Sequence, residues 1–390
     1  MTAEKLADRS IAVVGATGSV GTQALDVARH FGIRVSGISC AGNVKKAEEI
    51  IREFKPGVCG VTDSAAAEEL RARIRDTDCK VVDGENAAEA VAESACADTV
   101  LNSVTGIAGL APSVAALKCG KKLALANKES LVTAGEIVMG LAEKMGLPIL
   151  PVDSEHCALS QSLECGKREQ VKKLILTASG GPFRGMSADQ LAAMTADDAL
   201  RHPTWNMGKK ITVDSATMMN KGFEIIEAAW LFGIQPDSID VIVHPESIIH
   251  SMVEYNDRAV IAQLAVPDMR LCVQYALTAP ERFEGVTSAL DLAAVGKMTF
   301  FKPDEKTFPL LALARVAYAK GGTVCAALNG ANEVAVALFL ENRITLPKLF
   351  EAVEEATLKP NYPKCDSLEA VYEADRIARN AVRERFNIPC

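Results

Sequence analysis

The 390-residue chain lacks an apolar run of membrane-spanning length. None approaches the roughly 18 residues that a spanning helix needs. It also lacks a basic excess. A net charge of −8 and a pI near 5.4 argue against a nucleic-acid backbone binder. An anionic small molecule then requires a few cations gathered locally. The 11 cysteines are odd in number, scattered and without a C-x-x-C pair, so structural zinc is not expected. They read as reduced thiols in a cytoplasmic protein, mostly small buried hydrophobes. The opening MTAEKLADRS is polar and mixed in charge, unlike a secretory signal or an Arg-rich transit peptide. There is no internal repeat and no low-complexity linker. What is present is ordinary globular composition, 49% hydrophobic and 24% charged. At about 150 residues per domain the length suits two or three domains.

Residues 11–150 alternate short apolar runs with helical patterns. "IAVVG", "RVSGIS", "VCGVT", "CKVVD", "TVLNSV" and "KLALAN" are separated by stretches such as "SVGTQALDVARHFG" and the charged segment from Val44 to Phe54. That alternation predicts a parallel sheet covered by helices on both faces. From Lys172 the character changes. "KKLILTASGG" reads as a strand entering a glycine turn, and "DVIVHPESIIHSMVEY" and "AVIAQLAV" are β-rich around the turn "YNDR". Beyond Phe308 helical patterns return and predict a helical bundle. The domains expected are therefore 1–150, 151–307 and 308–390.

"VVGATGSVG" sets Gly15, Gly18 and Gly21 three apart, directly after the first strand and opening the first helix. Glycines there let backbone approach a pyrophosphate seated on a helix N-terminus, although the same turn also serves without a ligand. An NAD site usually carries an acid at the end of the second strand. Here "GISCAGNVKK" has none, and Asn43, Lys45 and Lys46 stand in its place. NADP is the better fit, unless both lysines are simply solvated.

"LPILPVDSEHCALSQSL" places Asp153 and Glu155 behind an apolar run. If Ile149 to Val152 is a buried strand, residues two apart point the same way, and like charges then need a cation between them. A strand-end Asp-Ser-Glu with a distant third carboxylate suits a hard divalent ion with oxygen ligands, although Asp153 and Glu155 in isolation read better as an ordinary loop with solvated charges. In "DSATMMNKGFEIIEAAW", Lys221 and Glu224 lie one helical turn apart with Ser215 and Asn220 nearby; a surface ion pair reads equally well. "TASGGPFR" sets Ser179 before a double glycine, a turn suited to an anion. "RHPTWNMGKK" puts His202 and Trp205 in a loop suited to a lid, or to plain loop packing. "ALANKESLV" puts Asn127, Lys128 and Glu129 after a strand, where an α/β sheet presents its ligand-binding edge.

"GATGSVG", "NKES", "PVDSEH", "ASGGPFR", "HPTWNMGKKITVDSATMMNKGFE", "HPESIIHSMV" and "LNGANEVAV" occur in the order seen in the 1-deoxy-D-xylulose 5-phosphate reductoisomerase family, which the chain resembles from about Ile11 to its end. The resemblance implies a Rossmann-like N-terminal NADPH domain, an α+β catalytic domain carrying the dimer sheet, and a C-terminal α-helical bundle. It also implies a homodimer, a sugar phosphate substrate, no nucleic-acid or membrane partner, and inhibition by fosmidomycin-like phosphonohydroxamates. The implied activity is the rearrangement and reduction of deoxyxylulose phosphate to 2-C-methyl-D-erythritol 4-phosphate in isoprenoid biosynthesis.

By the same resemblance, Asp153, Glu155 and Glu224 are metal ligands for Mg²⁺ or Mn²⁺, with Co²⁺ as an alternative. Ser154 and Lys128 contact the reacting end of the substrate. Ser179, Ser215, Asn220 and Lys221 form a phosphate pocket, and His202 and Trp205 belong to a flap. Lys128, Asp153, Glu155, His202 and Glu224 make up the catalytic set. Thr17, Gly18, Ser19, Val20, Gly42, Asn43, Asn127, Glu129 and Gly208 contact the cofactor. Three departures stand out: "AGNV" is one residue shorter than usual, Glu246 replaces the commoner Gln, and Gly330 replaces the usual Ala. Two rival readings are a semialdehyde dehydrogenase using Cys157 and a non-catalytic NADP-binding protein.

Overall fold

Ser10–Val14 is buried throughout and forms β1, with a parallel strand hydrogen-bonded on each side. A strand covered on both faces in this way reads as a continuous apolar run, as "SIAVV" does. The computed structural model describes residue 6, residues 8–205 and residues 207–388. Two compact units are present. One comprises Met1–Ser130, Val138–Cys157 and Asp268–Ala289; the other comprises Leu131–Ile137, Ala158–Pro267 and Leu290–Cys390.

In the first unit, β1 is joined by β2 (Arg34–Cys40), β3 (Val58–Val61), β4 (Lys80–Asp83), β5 (Thr99–Asn102), β6 (Lys122–Leu125) and β7 (Ile149–Pro151). The sheet is parallel in the order β4-β3-β2-β1-β5-β6-β7. Successive strands run outward from β1 in one direction and then from β5 in the other. The carboxyl end of β1 thus borders the reversal point where such sheets bind ligands. Helices Ser19–Phe31 and Val44–Phe54 follow β1 and β2, the second at the bounds its charge pattern predicts. Val13, Ile38 and Leu101 share a core with Val273, Ala276 and Leu277 of helix Met269–Thr278. The expectation of a buried strand over 149–152 needs correction. β7 pairs with β6 alone at the sheet edge, and its three residues are only half-buried.

The second unit holds a four-stranded sheet of β8 (Val171–Ala178), β9 (Ile239–Val243), β10 (Ile249–Tyr255) and β11 (Val260–Leu264), in the order β11-β10-β8-β9. β8 and β9 are parallel, and the other two pairings are antiparallel. Helices Met219–Phe232, Leu310–Lys320, Val324–Leu340, Leu346–Leu358 and Leu368–Arg385 complete the unit. Phe183, Phe223 and Phe339 are fully buried in its core. Each contributes about 1.5–3 kcal/mol by leaving water. No described helix is long and apolar enough to cross a membrane.

Gly330 has a packing cause. A Cβ there would stand 2.6 Å from Asp375 Oδ1 and 2.9 Å from the Asp375 carbonyl oxygen. Asp375 is itself buried, and burial raises its pKa against the opposing pull of Arg379. Restoring the commoner residue therefore forces two helices apart. Gly330→Ala is expected to lower the urea midpoint by the equivalent of about 1–3 kcal/mol, with an unchanged m value. An unchanged midpoint would show that the helix carrying Asp375 yields freely.

Candidate active site

The turn after β1 is built around close backbone approach. Gly15 has φ +86°, and a Cβ on Gly21 would fall 2.2 Å from the Gly15 carbonyl oxygen. No side chain fits there, so the turn can stay tight enough to open helix Ser19–Phe31. Ser39 Oγ at the end of β2 accepts from Gly15 N at 3.1 Å. Gly18 and Ser19 are exposed and Thr17 is half-buried, as an accessible turn requires. Val20 packs its side chain on the core beneath.

Beside this turn, Gly42 and Asn43 follow β2, the neighbour of β1. Asn43 Oδ1 accepts from Lys46 N at 3.2 Å and so caps helix Val44–Phe54. Lys46 Nζ donates to Thr17 O at 3.2 Å. The shortened "AGNV" segment therefore keeps Asn43 as a helix cap and sets one of the two lysines against the glycine turn. Lys46 is thus not simply solvated.

At the end of β6, the Asn127 side chain is committed locally. Its Nδ2 donates to Val104 O, Gly106 O and Glu129 Oε2, while Oδ1 accepts from Ser130 N. Asn127 thereby caps helix Lys128–Met145, leaving Lys128 and Glu129 in its buried first turn.

The strand-alternation argument for Asp153 and Glu155 also needs correction. β7 ends at Pro151 and Ser154 opens helix Ser154–Leu163, so the two acids are not strand neighbours. They converge because Glu155 lies in the first helical turn, where its N–H donates to Asp153 Oδ1 at 3.1 Å. Oxygens of the two carboxylates come within 4.8 Å of one another. Lys128 Nζ donates to Asp153 Oδ2 at 2.8 Å, and His156 Nδ1 lies 3.0 Å from Asp153 Oδ1. Ser154 Oγ donates to Glu155 Oε2. Burial opposes the charge on Asp153, but Lys128 and His156 outweigh it and hold the carboxyl well below the usual carboxylate range. His156 is a site residue that sequence reasoning missed. Its place three residues after Asp153, across the start of a helix, is the available signal.

The second unit assembles its own group. After β8, Gly180 and Gly181 have φ +84° and +65°, and a Cβ on Gly181 would meet the Ser215 carbonyl oxygen at 2.7 Å. That close approach brings the Ser179 turn onto Ser215. Helix Lys209–Ala216, capped by Gly208, meets helix Met219–Phe232 at Met218, which is left-handed with φ +62°. A non-glycine residue in that region costs about 1–3 kcal/mol and persists where surrounding structure imposes it. Asn220 Nδ2 donates to Glu224 Oε1 at 2.6 Å, and Lys221 Nζ donates to Glu224 Oε2. The Lys221 and Glu224 side chains are 4% and 1% exposed, which rules out a surface ion pair.

In the loop ahead of Gly208, Thr204 N and Trp205 N both donate to His202 Nδ1, at 3.2 and 2.9 Å. The neutral imidazole thus carries its proton on Nε2, 3.0 Å from Ser179 Oγ. Trp205 lies 6.3 Å from His250, ring centre to ring centre. His202 is therefore bonded both to its own loop and to the Ser179 turn.

Glycine turn, capped helix starts and acid pair occupy the carboxyl ends of β1, β2, β6 and β7, the arrangement of a nucleotide-dependent oxidoreductase. Residues 11–135 match the family described as 1-deoxy-D-xylulose 5-phosphate reductoisomerase, and residues 149–232 and 264–381 match its C-terminal domains. The chain is 50% identical over 374 residues to 1-deoxy-D-xylulose 5-phosphate reductoisomerase of Acetivibrio thermocellus, covering 96% of this chain and 98% of the other. It is 48% identical over 374 residues to that of Ruminiclostridium cellulolyticum, with the same coverage. Among solved structures, the Zymomonas mobilis reductoisomerase in complex with NADPH is 37% identical with a TM-score of 0.91, covering 97% of this chain and 99% of that one. A DOX-P reductoisomerase in complex with NADPH, fosmidomycin and magnesium is 36% identical with a TM-score of 0.92, covering 97% and 98%. The chain belongs to the 1-deoxy-D-xylulose 5-phosphate reductoisomerase family. The semialdehyde dehydrogenase reading is not favoured. Cys157 is 1% exposed and packed with Cys272 and Tyr275, which is no setting for an accessible nucleophile.

Burial holds the His202 pKa below its ordinary value near 6.5. The unfolded chain therefore binds more protons just below that pH, and the stability the neutral ring contributes is lost as pH falls. In a Trp230→Phe background, Trp205 emission should change as pH drops below 6.5 and the ring loses its acceptor. The same titration of His202→Asn, whose oxygen accepts without titrating, should be flat. Matching curves would assign the transition to another group.

Proposed function

We propose that the chain's own residues divide the family reaction between the two units. The enzyme rearranges 1-deoxy-D-xylulose 5-phosphate and reduces it to 2-C-methyl-D-erythritol 4-phosphate, using NADPH and a divalent cation, in methylerythritol phosphate isoprenoid biosynthesis. Ser179, Ser215, Asn220 and Lys221 receive the phosphate. The observation that carries this assignment is Lys221, 3% exposed, paired with Glu224 and next in sequence to Asn220, which bonds the same carboxylate. A buried ammonium beside an amide donor supplies the charge that a phosphate arriving in the pocket would share with Glu224. Phosphate held there lets remote binding energy draw His202 and Trp205 over the substrate and exclude water.

Asp153, Glu155 and Glu224 are proposed to hold the cation. The donor set fits a hard ion, being all carboxylate oxygen, and Asp153, Glu155 and Lys128 together remain net negative. Lys128, with Ser154, is placed to meet the reacting end of the substrate. When bound, the cation contributes Lewis-acid polarisation of the substrate carbonyl, and NADPH contributes the hydride. Thr17, Gly18, Ser19, Val20, Gly42, Asn43, Asn127, Glu129 and Gly208 are proposed to contact the cofactor. Among them, Asn127 offers its backbone, since its side chain is already committed. Lys46, beside Thr17, supports selection for the 2′-phosphate of NADPH over NADH. We assign NADPH binding to 1–150, chemistry and dimerisation to 151–307 and helical support to 308–390. We further propose a homodimer, and place the enzyme in the cytoplasm, consistent with free cysteines throughout the described residues.

Steady-state kinetics on a phosphorylated and a non-phosphorylated substrate test the phosphate assignment. Leaving a buried phosphate without its charged partner costs about 2–5 kcal/mol. Lys221→Ala should therefore cripple turnover of deoxyxylulose phosphate and affect free deoxyxylulose far less. Equal losses on both would show that Lys221 acts elsewhere.

A further inference from the structure

The "LNGANEVAV" segment lies within helix Val324–Leu340 and includes Asn332, which is 0% exposed. Across 118 residues of sequence, Asn332 Nδ2 donates to Asp214 Oδ1 at 2.8 Å. The other Asp214 oxygen lies 2.9 Å from Lys210 Nζ, one turn back on helix Lys209–Ala216. The Lys210 ammonium also sits 5.0 Å from the Phe223 ring centre, on the helix that carries Lys221 and Glu224. Asp214 thus spends one oxygen on the bundle and the other on its own helix. Asn332 Oδ1 is buried and has no hydrogen-bond partner among the described residues. A buried amide kept half-satisfied costs stability that an apolar residue would not, so its retained bond calls for an explanation.

The explanation lies in what Asp214 steers. Helix Lys209–Ala216 has only eight residues, too few to hold its own conformation. Its leading end continues from the His202–Trp205 loop, and its trailing end carries Ser215 onto the Gly181 turn. A lid that opens and closes gives the leading end no fixed hold. The bond from Asn332 supplies a lateral one, to the residue adjacent to Ser215.

We infer that Asn332 is a positioning residue for the phosphate pocket, acting through Asp214 to fix helix Lys209–Ala216 and thereby Ser215. The inference rests on the phosphate assignment made above. Asn332→Leu removes the donor at similar volume. The Asp214→Asn/Asn332→Asp pair restores the bond with its polarity reversed and returns an acceptor to Lys210. Asn332→Leu should raise both the KM for deoxyxylulose phosphate and the Kd for inorganic phosphate about tenfold, the scale of a lost hydrogen bond to a charged group. Change in kcat should stay within about threefold, NADPH affinity should be unaltered, and the paired swap should recover most of the phosphate affinity.

Ser215→Ala and Lys221→Ala, measured alongside, separate the two claims. If they weaken phosphate binding while Asn332→Leu does not, the positioning role is overturned and the pocket stands. If neither weakens phosphate binding, the pocket assignment falls and takes the positioning role with it. Loss of kcat, NADPH affinity and phosphate affinity in parallel, unrecovered by the swap, would mark Asn332 as general scaffold and also overturn the inference.

Discussion

Each unit has to keep an acidic side chain paired where water is scarce. Asp153 is mostly buried and would be expected to take up a proton. It stays ionised because Lys128 and His156 address its two oxygens. Glu224, buried deeper, is met by Lys221 and Asn220. Asp153, held ionised in this way, suits a hard cation without first losing a proton.

The surrounding fold serves that constraint in each unit separately. In the first, Asn127 caps the helix that begins with Lys128, and the turn from β7 into helix Ser154–Leu163 folds Glu155 back on Asp153. In the second, Met218 joins two helices so that Ser215 precedes the turn and Asn220, Lys221 and Glu224 follow it. Gly181 lets the Ser179 turn lie against Ser215. These are local devices, namely caps, a left-handed residue and a glycine contact. Each sets the direction of a side chain in the proposed site.

Those devices also explain what could be read in the sequence. Periodicity and turn residues locate the strands of both sheets, and they locate Val44–Phe54 to the residue, because local pattern determines such elements. Alternation misleads at Asp153 and Glu155, where the chain has already turned from strand to helix. Whether Lys221 and Glu224 form a surface or a buried pair depends on helices almost a hundred residues further on, which no local window contains. The same holds for helix Met269–Thr278, whose place in the first core is a tertiary outcome. Gly330 looked like an unexplained departure until Asp375, 45 residues later, supplied the collision.

The assignment of Asp153, Glu155 and Glu224 as the cation's ligands is tested most directly by anomalous diffraction. Crystals of the enzyme grown with NADPH, a phosphonate inhibitor and Mn²⁺ would be measured at the manganese edge. One strong anomalous peak is expected, with oxygens of all three side chains at about 2.0–2.4 Å. A map with no peak among these carboxylates, or with its strongest peak at other residues, would contradict the assignment.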